Sequence, residues 1–249
     1  MVDDGARNLN GAPPVPPRPL PSLHLRERAA DYAYAVAVQT RRLLGGPDPG
    51  SLASGSEAPV LLLPGVYETW HFLLPVARRL HDAGHPVHTV PGLGINRAPV
   101  LDAARTALAT LEDLDLHDVV LVAHSKGGLI GKRMMLTDTV EDRVDARPTE
   151  RIAALVAVNT PFAGSRYASY AVGRTLRAFA PGNANLLELA THADVNSRIT
   201  SVYAEFDPHI PETSRLEGAT NVELPVAGHF RPLSDPLVLD AVLEAVARS

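Results

Sequence analysis

The sequence predicts an α/β fold: a doubly wound, mostly parallel sheet flanked by helices. Short runs at 60–63, 118–123 and 152–158 are apolar almost from end to end rather than alternating. Strands of that kind need cover on both faces, which a parallel sheet between two helical layers provides. Stretches of helical periodicity separate the runs, the order that βαβ crossovers produce. A chain of 249 residues with 45% hydrophobic content is also long enough to bury one large core.

The elements follow in order. Residues 1–22 hold six prolines between Pro13 and Pro21, which favour extended, solvated backbone and predict a disordered tail. Residues 23–44 predict a helix whose stripe of Leu25, Ala29, Tyr32, Val36 and Leu43 packs on the main body. Gly45-Gly46-Pro47 stops it, and the Gly-, Ser- and Pro-rich stretch up to 58 is a linker. From 59 to 249 strands and helices alternate. Strands are predicted at 60–63, 86–90, 118–123, 152–158, 199–204 and 221–226. Helices are predicted at 70–83, 99–113, 127–137 and 235–248. Residues 162–197 are too short for a cap domain, so a small lid or none is expected.

Charge and composition exclude several classes of function. A net charge of −5 offers no basic field for nucleic acid or anionic lipid. The absence of cysteine removes disulfides, thiolate metal sites and a Cys nucleophile. No ligand cluster suggests a metal, and no cofactor motif is present, so neither is expected. The acidic start at Met1-Val2-Asp3-Asp4 lacks the form of a signal peptide, and no apolar run approaches the ~20 residues of a membrane span. A cytoplasmic protein acting on a small molecule is the expectation, with the oligomeric state open.

In open parallel sheets the reactive site lies beyond the carboxyl ends of the strands. There the segment Val122-Ala123-His124-Ser125-Lys126-Gly127-Gly128 places a serine between an apolar strand and a helix, with small residues two positions to either side. A side chain on so sharp a turn tolerates only small neighbours, and the helix N-terminus favours a developing oxyanion. The ordinary alternative is a helix N-cap serine.

The segment resembles the nucleophile elbow of the α/β-hydrolase family, G-x-S-x-G, with Ala123 in place of the first glycine. The resemblance is to the lipase/esterase branch and covers residues 59–249. It implies Ser125 as nucleophile, and Asp207 in Glu205-Phe206-Asp207-Pro208 as the acid, with Glu205 the competitor. It implies His229, in Gly228-His229-Phe230 after the last strand, as the base. The backbone amides of Val66, in Pro64-Gly65-Val66-Tyr67, and of Lys126 are the implied oxyanion hole. Gly65, Tyr67 and Phe162 are the implied substrate contacts; Phe162 replaces the histidine of the Thr-Pro-His-x-Gly-Ser segment common in lipases. Of the ten histidines, His192 and His209 also lie on the strand-end side, and His124 should point away from the serine hydroxyl. The implied activity is hydrolysis of a carboxylic ester without metal or cofactor. The alternatives are a thioesterase or acyltransferase, or an inactive binding module on the same fold.

Overall fold

The computed structural model describes residues 24–139, 151–170 and 173–249; the Pro-rich segment expected at 1–22 lies outside them. Six strands form one sheet: β1 (Val60–Leu63), β2 (Val87–His88), β3 (Val119–His124), β4 (Ile152–Val158), β5 (Ile199–Phe206) and β6 (Thr220–Ala227). Their order is β2-β1-β3-β4-β5-β6, and each neighbouring pair is parallel. The helices are α1 (Leu25–Leu43), α2 (Leu74–Asp82), α3 (Val100–Asp113), α4 (Lys126–Thr139), α5 (Arg174–Arg177), α6 (Ala184–Thr191) and α7 (Pro236–Ala247).

The alternation of side chains along each strand divides the interior into two layers. Leu61, Leu63, Leu121, Ala123, Leu155 and Ala157 face α3 and α4, with Leu111, Ile130 and Met134 among their partners. Val60, Leu62, Val120, Val122, Val156 and Val158 face the opposite way, toward Val76 and Leu80 of α2 and Val238 and Val242 of α7. A polar residue at either parity would lose its water without a partner, which is why these strands read as unbroken apolar runs.

Two local results refine the expected elements. The segment at 70–73 is a 3-10 turn leading into α2, which carries Pro75 in its first turn, where proline is tolerated. The second strand shortens to Val87–His88, because Pro91 and Gly92 open another 3-10 turn.

The expected packing stripe of α1 is corrected. Leu25, Tyr32, Val36 and Leu43 remain exposed, and the residues α1 buries are Val38 and the acidic Asp31. Asp31 enters because its Oδ1 accepts the N–H groups of Phe230 and Arg231, both at 2.8 Å. No helix among the described residues is long and apolar enough to cross a membrane.

Candidate active site

The loops at the carboxyl ends of β1, β3, β5 and β6 meet at one place. Ser125 follows β3 directly and has φ +51, the left-handed region that a non-glycine residue enters only when its surroundings hold it there. Those surroundings are specific. A side chain on Gly127 would collide with the Leu63 carbonyl, and one on Gly128 with the Thr160 hydroxyl. Thr160 itself donates to the Ser125 carbonyl at 2.9 Å. The elbow is therefore fixed from β1 and from the loop after β4, and Ala123 is small enough to stay within the sheet.

His229 bridges serine and carboxylate. Its Nε2 lies 3.0 Å from Ser125 Oγ and its Nδ1 2.7 Å from Asp207 Oδ2. The other Asp207 oxygen accepts the amides of His209 at 2.7 Å and Ile210 at 3.1 Å. Glu205, the competing acid, is exposed near the end of β5. Burial disfavours charge on both members of the pair, but mutual attraction and hydrogen bonding outweigh it. Asp207 is held below the ordinary carboxyl value, with the His209 amide helping, and His229 is held above the ordinary imidazole value.

The loop between β6 and the turn at Arg231–Ser234 is pinned by main-chain contacts. Asn159 Nδ2 donates to the carbonyls of Gly228 at 3.2 Å and His229 at 3.1 Å, while its Oδ1 accepts the Ala204 amide. The Gly228 amide donates to the Phe206 carbonyl at 2.8 Å.

A second carboxylate–imidazole pair lies behind the first. Glu68 Oε1 is 2.8 Å from His124 Nδ1, and His124 Nε2 is 2.9 Å from the His229 carbonyl. Both groups are buried. Glu68 Oε2 also accepts the Gly65 amide at 2.8 Å, and a Cβ on Gly65 would lie 2.5 Å from Glu68 Oε1. A side chain at residue 65 would have to displace the Glu68 carboxylate.

The other expected site residues divide. Val66 and Tyr67 line the same cavity as Ser125 and His229. The Val66 and Lys126 amides have no backbone acceptor among the described residues. The Lys126 side chain runs away from the cavity to the Asn96 and Ala98 carbonyls and Asn96 Oδ1, and its burial lowers the ammonium to about 8. Gly65 and Phe162, expected as substrate contacts, are not among the residues lining this cavity. The Gly65 amide is taken by Glu68, and Phe162 packs into the layer with Phe179 and Leu186. His209 does line the cavity, lowered to about 4 by burial and by the nearby His229. His192 instead faces Glu188 at 3.6 Å.

The cavity encloses about 570 Å³ and is mostly apolar. Leu176 and Phe179 form part of its wall, and α1 forms another with Tyr32, Val36, Gln39 and Leu43. Gln39 Nε2 donates to the Tyr67 carbonyl at 3.1 Å, tying that helix to the loop after β1. Glu68 and Asp31 carried no signal in the sequence, since neither stands in a motif and their partners are 56 to 200 positions away; α1 was legible as a helix and His124 as part of the elbow, but not their places at the site.

Comparison with known proteins locates this architecture. No family model and no curated protein sequence matches the chain. Solved structures do. A mature-form lipase of Bacillus licheniformis is similar at TM-score 0.59 and 15% identity, covering 81% of this chain and 94% of its own. The fold is that of the α/β-hydrolases. Within that fold, a monoacylglycerol lipase of Paleococcus ferrophilus is similar at TM-score 0.56 and 17% identity, over 79% of this chain and 97% of its own. A bromoperoxidase of Bacillus anthracis follows at TM-score 0.54 and 14% identity, over 79% of this chain and 94% of its own. Such different names on one α/β-hydrolase scaffold mean that the chemistry must be argued from the site.

Proposed function

We propose that the protein is a serine hydrolase that cleaves carboxylic esters bearing an apolar acyl group. One observation carries this reading: the unbroken relay Ser125–His229–Asp207, with bonds of 3.0 and 2.7 Å, opening on an apolar cavity. In this reading His229 Nε2 takes the proton from Ser125 Oγ as the oxygen attacks the ester carbonyl. Asp207 keeps the proton on Nδ1 and stabilises the imidazolium that forms. The Val66 and Lys126 amides, free of backbone acceptors, receive the oxyanion. The imidazolium then gives its proton to the departing alcohol, leaving an acyl-serine. Water attacks that ester with His229 again as base, releasing the acid and restoring the hydroxyl.

The apolar wall favours an acyl chain over a charged or sugar-like group, since a polar substrate would exchange water for unmatched surface. The lipase and esterase names among the structural neighbours agree with this class. The test is turnover of p-nitrophenyl esters of increasing acyl length, with fluorophosphonate labelling. Labelling and turnover that both vanish in Ser125→Ala are expected. Full turnover in that variant would remove Ser125 as nucleophile, and folded wild-type protein silent in both assays would favour a binding module.

A further inference from the structure

The mechanism above gives no role to Asp31, one of several buried carboxylates. Asp31 stands in α1, upstream of the first strand, and is fully buried. Its Oδ1 accepts the amides of Phe230 and Arg231, the two residues after His229. On the other side of His229, a Cβ on Gly228 would lie 2.5 Å from the same oxygen, and φ there is +123. The carboxylate thus packs against the base-bearing loop on both flanks of the imidazole.

The contacts around this loop are complementary. Asn159 and His124 hold its carbonyls, and Asp31 supplies the acceptor for its amides. Asp31 Oδ2 is buried with no hydrogen-bond partner among the described residues. A desolvated carboxylate using one oxygen is a cost to the fold, and a neutral acceptor would hold the two amides with less penalty. The negative charge itself therefore calls for an explanation, and His229 is, with His209, a ring that gains from it.

We propose that Asp31 is a positioning residue for the base: from α1 it fixes the loop that aims His229 at Ser125, and its charge steadies the imidazolium formed when Ser125 gives up its proton. This rests on His229 acting as the base. The charged and titratable neighbours of His229 are Asp207 after β5, Glu68 after β1 and Asp31 from α1, all favouring the protonated ring. The His124 and His209 rings stand at 4.7 and 4.9 Å. Arg231 turns its guanidinium to the Ala227 carbonyl.

The test compares the wild-type chain with Asp31→Asn and Asp31→Ala in two measurements: NMR titration of the His229 ring and the pH profile of kcat/KM on an ester. Asp31→Asn keeps an oxygen for the two amides and removes only the charge. It should move the His229 titration and the acid limb downward by roughly 0.5 pH, less than a directly bonded opposite charge would give. Asp31→Ala also frees the loop, and should lower kcat about tenfold to a hundredfold with little change in KM. A role confined to folding would lower the melting temperature of both variants and leave titration and limb in place. Folded Asp31→Asn with an unmoved titration would overturn the proposal, and that variant decides alone if Asp31→Ala does not fold. Ser125→Ala serves as a separate control: activity surviving there sinks the hydrolase reading, while the titration still reports on Asp31.

Discussion

At the scale of single residues, the proposed chemistry separates groups that would react from groups that hold them. Among the described residues, Asp207 is hydrogen-bonded to the imidazole and two backbone amides. Asp207→Asn keeps the shape but lets the ring adopt the wrong tautomer, so kcat is expected to fall by about 10⁴ with KM little changed. Glu205→Gln, on the exposed end of β5, should leave steady-state kinetics as they are. Ser125, Asp207 and His229 were legible in the sequence because each occupies a turn at the end of an apolar run, and their order along the chain suits one topology. Glu68 was not legible, because its importance arises from His124, 56 positions away. Removing the carboxylate in Glu68→Ala leaves a buried imidazole and the Gly65 amide without their acceptor. A loss of about 3–5 kcal/mol in denaturant-unfolding stability is expected, with turnover falling as the loop carrying Val66 loosens.

At the scale of elements, the strands were readable because burial on both faces writes itself into composition. The ends were less so. β2 shortens where Pro91 and Gly92 intervene. The case of α1 shows why a helical stripe is ambiguous: Tyr32, Val36 and Leu43 face a cavity mouth and partly exposed space rather than the core. Periodicity records that one face is apolar, and the object opposite that face comes from the tertiary fold. If α1 bounds the acyl site, Val36→Trp should depress turnover of long-chain p-nitrophenyl esters at least several-fold more than that of the acetate. Equal effects across the series would place the acyl chain elsewhere in the cavity. Gly128→Ala probes another element: the added methyl meets the Thr160 side chain, so either the elbow or the loop after β4 must shift. Turnover should drop steeply while the helical circular-dichroism signal stays.

At the scale of the molecule, the two buried layers set stability and the acid–base pair modulates it. Leu121→Ala, in the middle of β3 and fully buried, should cost about 2–5 kcal/mol by chemical denaturation. The Asp207–His229 pair adds a pH dependence whose sign follows from the two shifts. Asp207 is depressed from 3.8, so its contribution is complete above that value and fades as pH falls through the folded pKa. His229 is raised from 6.5, so its contribution is complete below that value and fades as pH rises through the folded pKa. The stability difference between the chain and Asp207→Asn should therefore be widest between those two values and narrow on both sides. A difference that stays flat from acid to alkaline pH would mean the pair gives the fold no net ionic stabilisation.

The bond from Asp31 to the amides of Phe230 and Arg231 spans 199 and 200 positions. The bond from Gln39 to Tyr67 closes over only 28 positions, so α1 can meet the loop after β1 early in synthesis, whereas its hold on the loop after β6 must wait for residues 230 and 231. A chain that stops short of residue 230 would keep the early tether and lose the carboxylate's grip on the segment that carries His229.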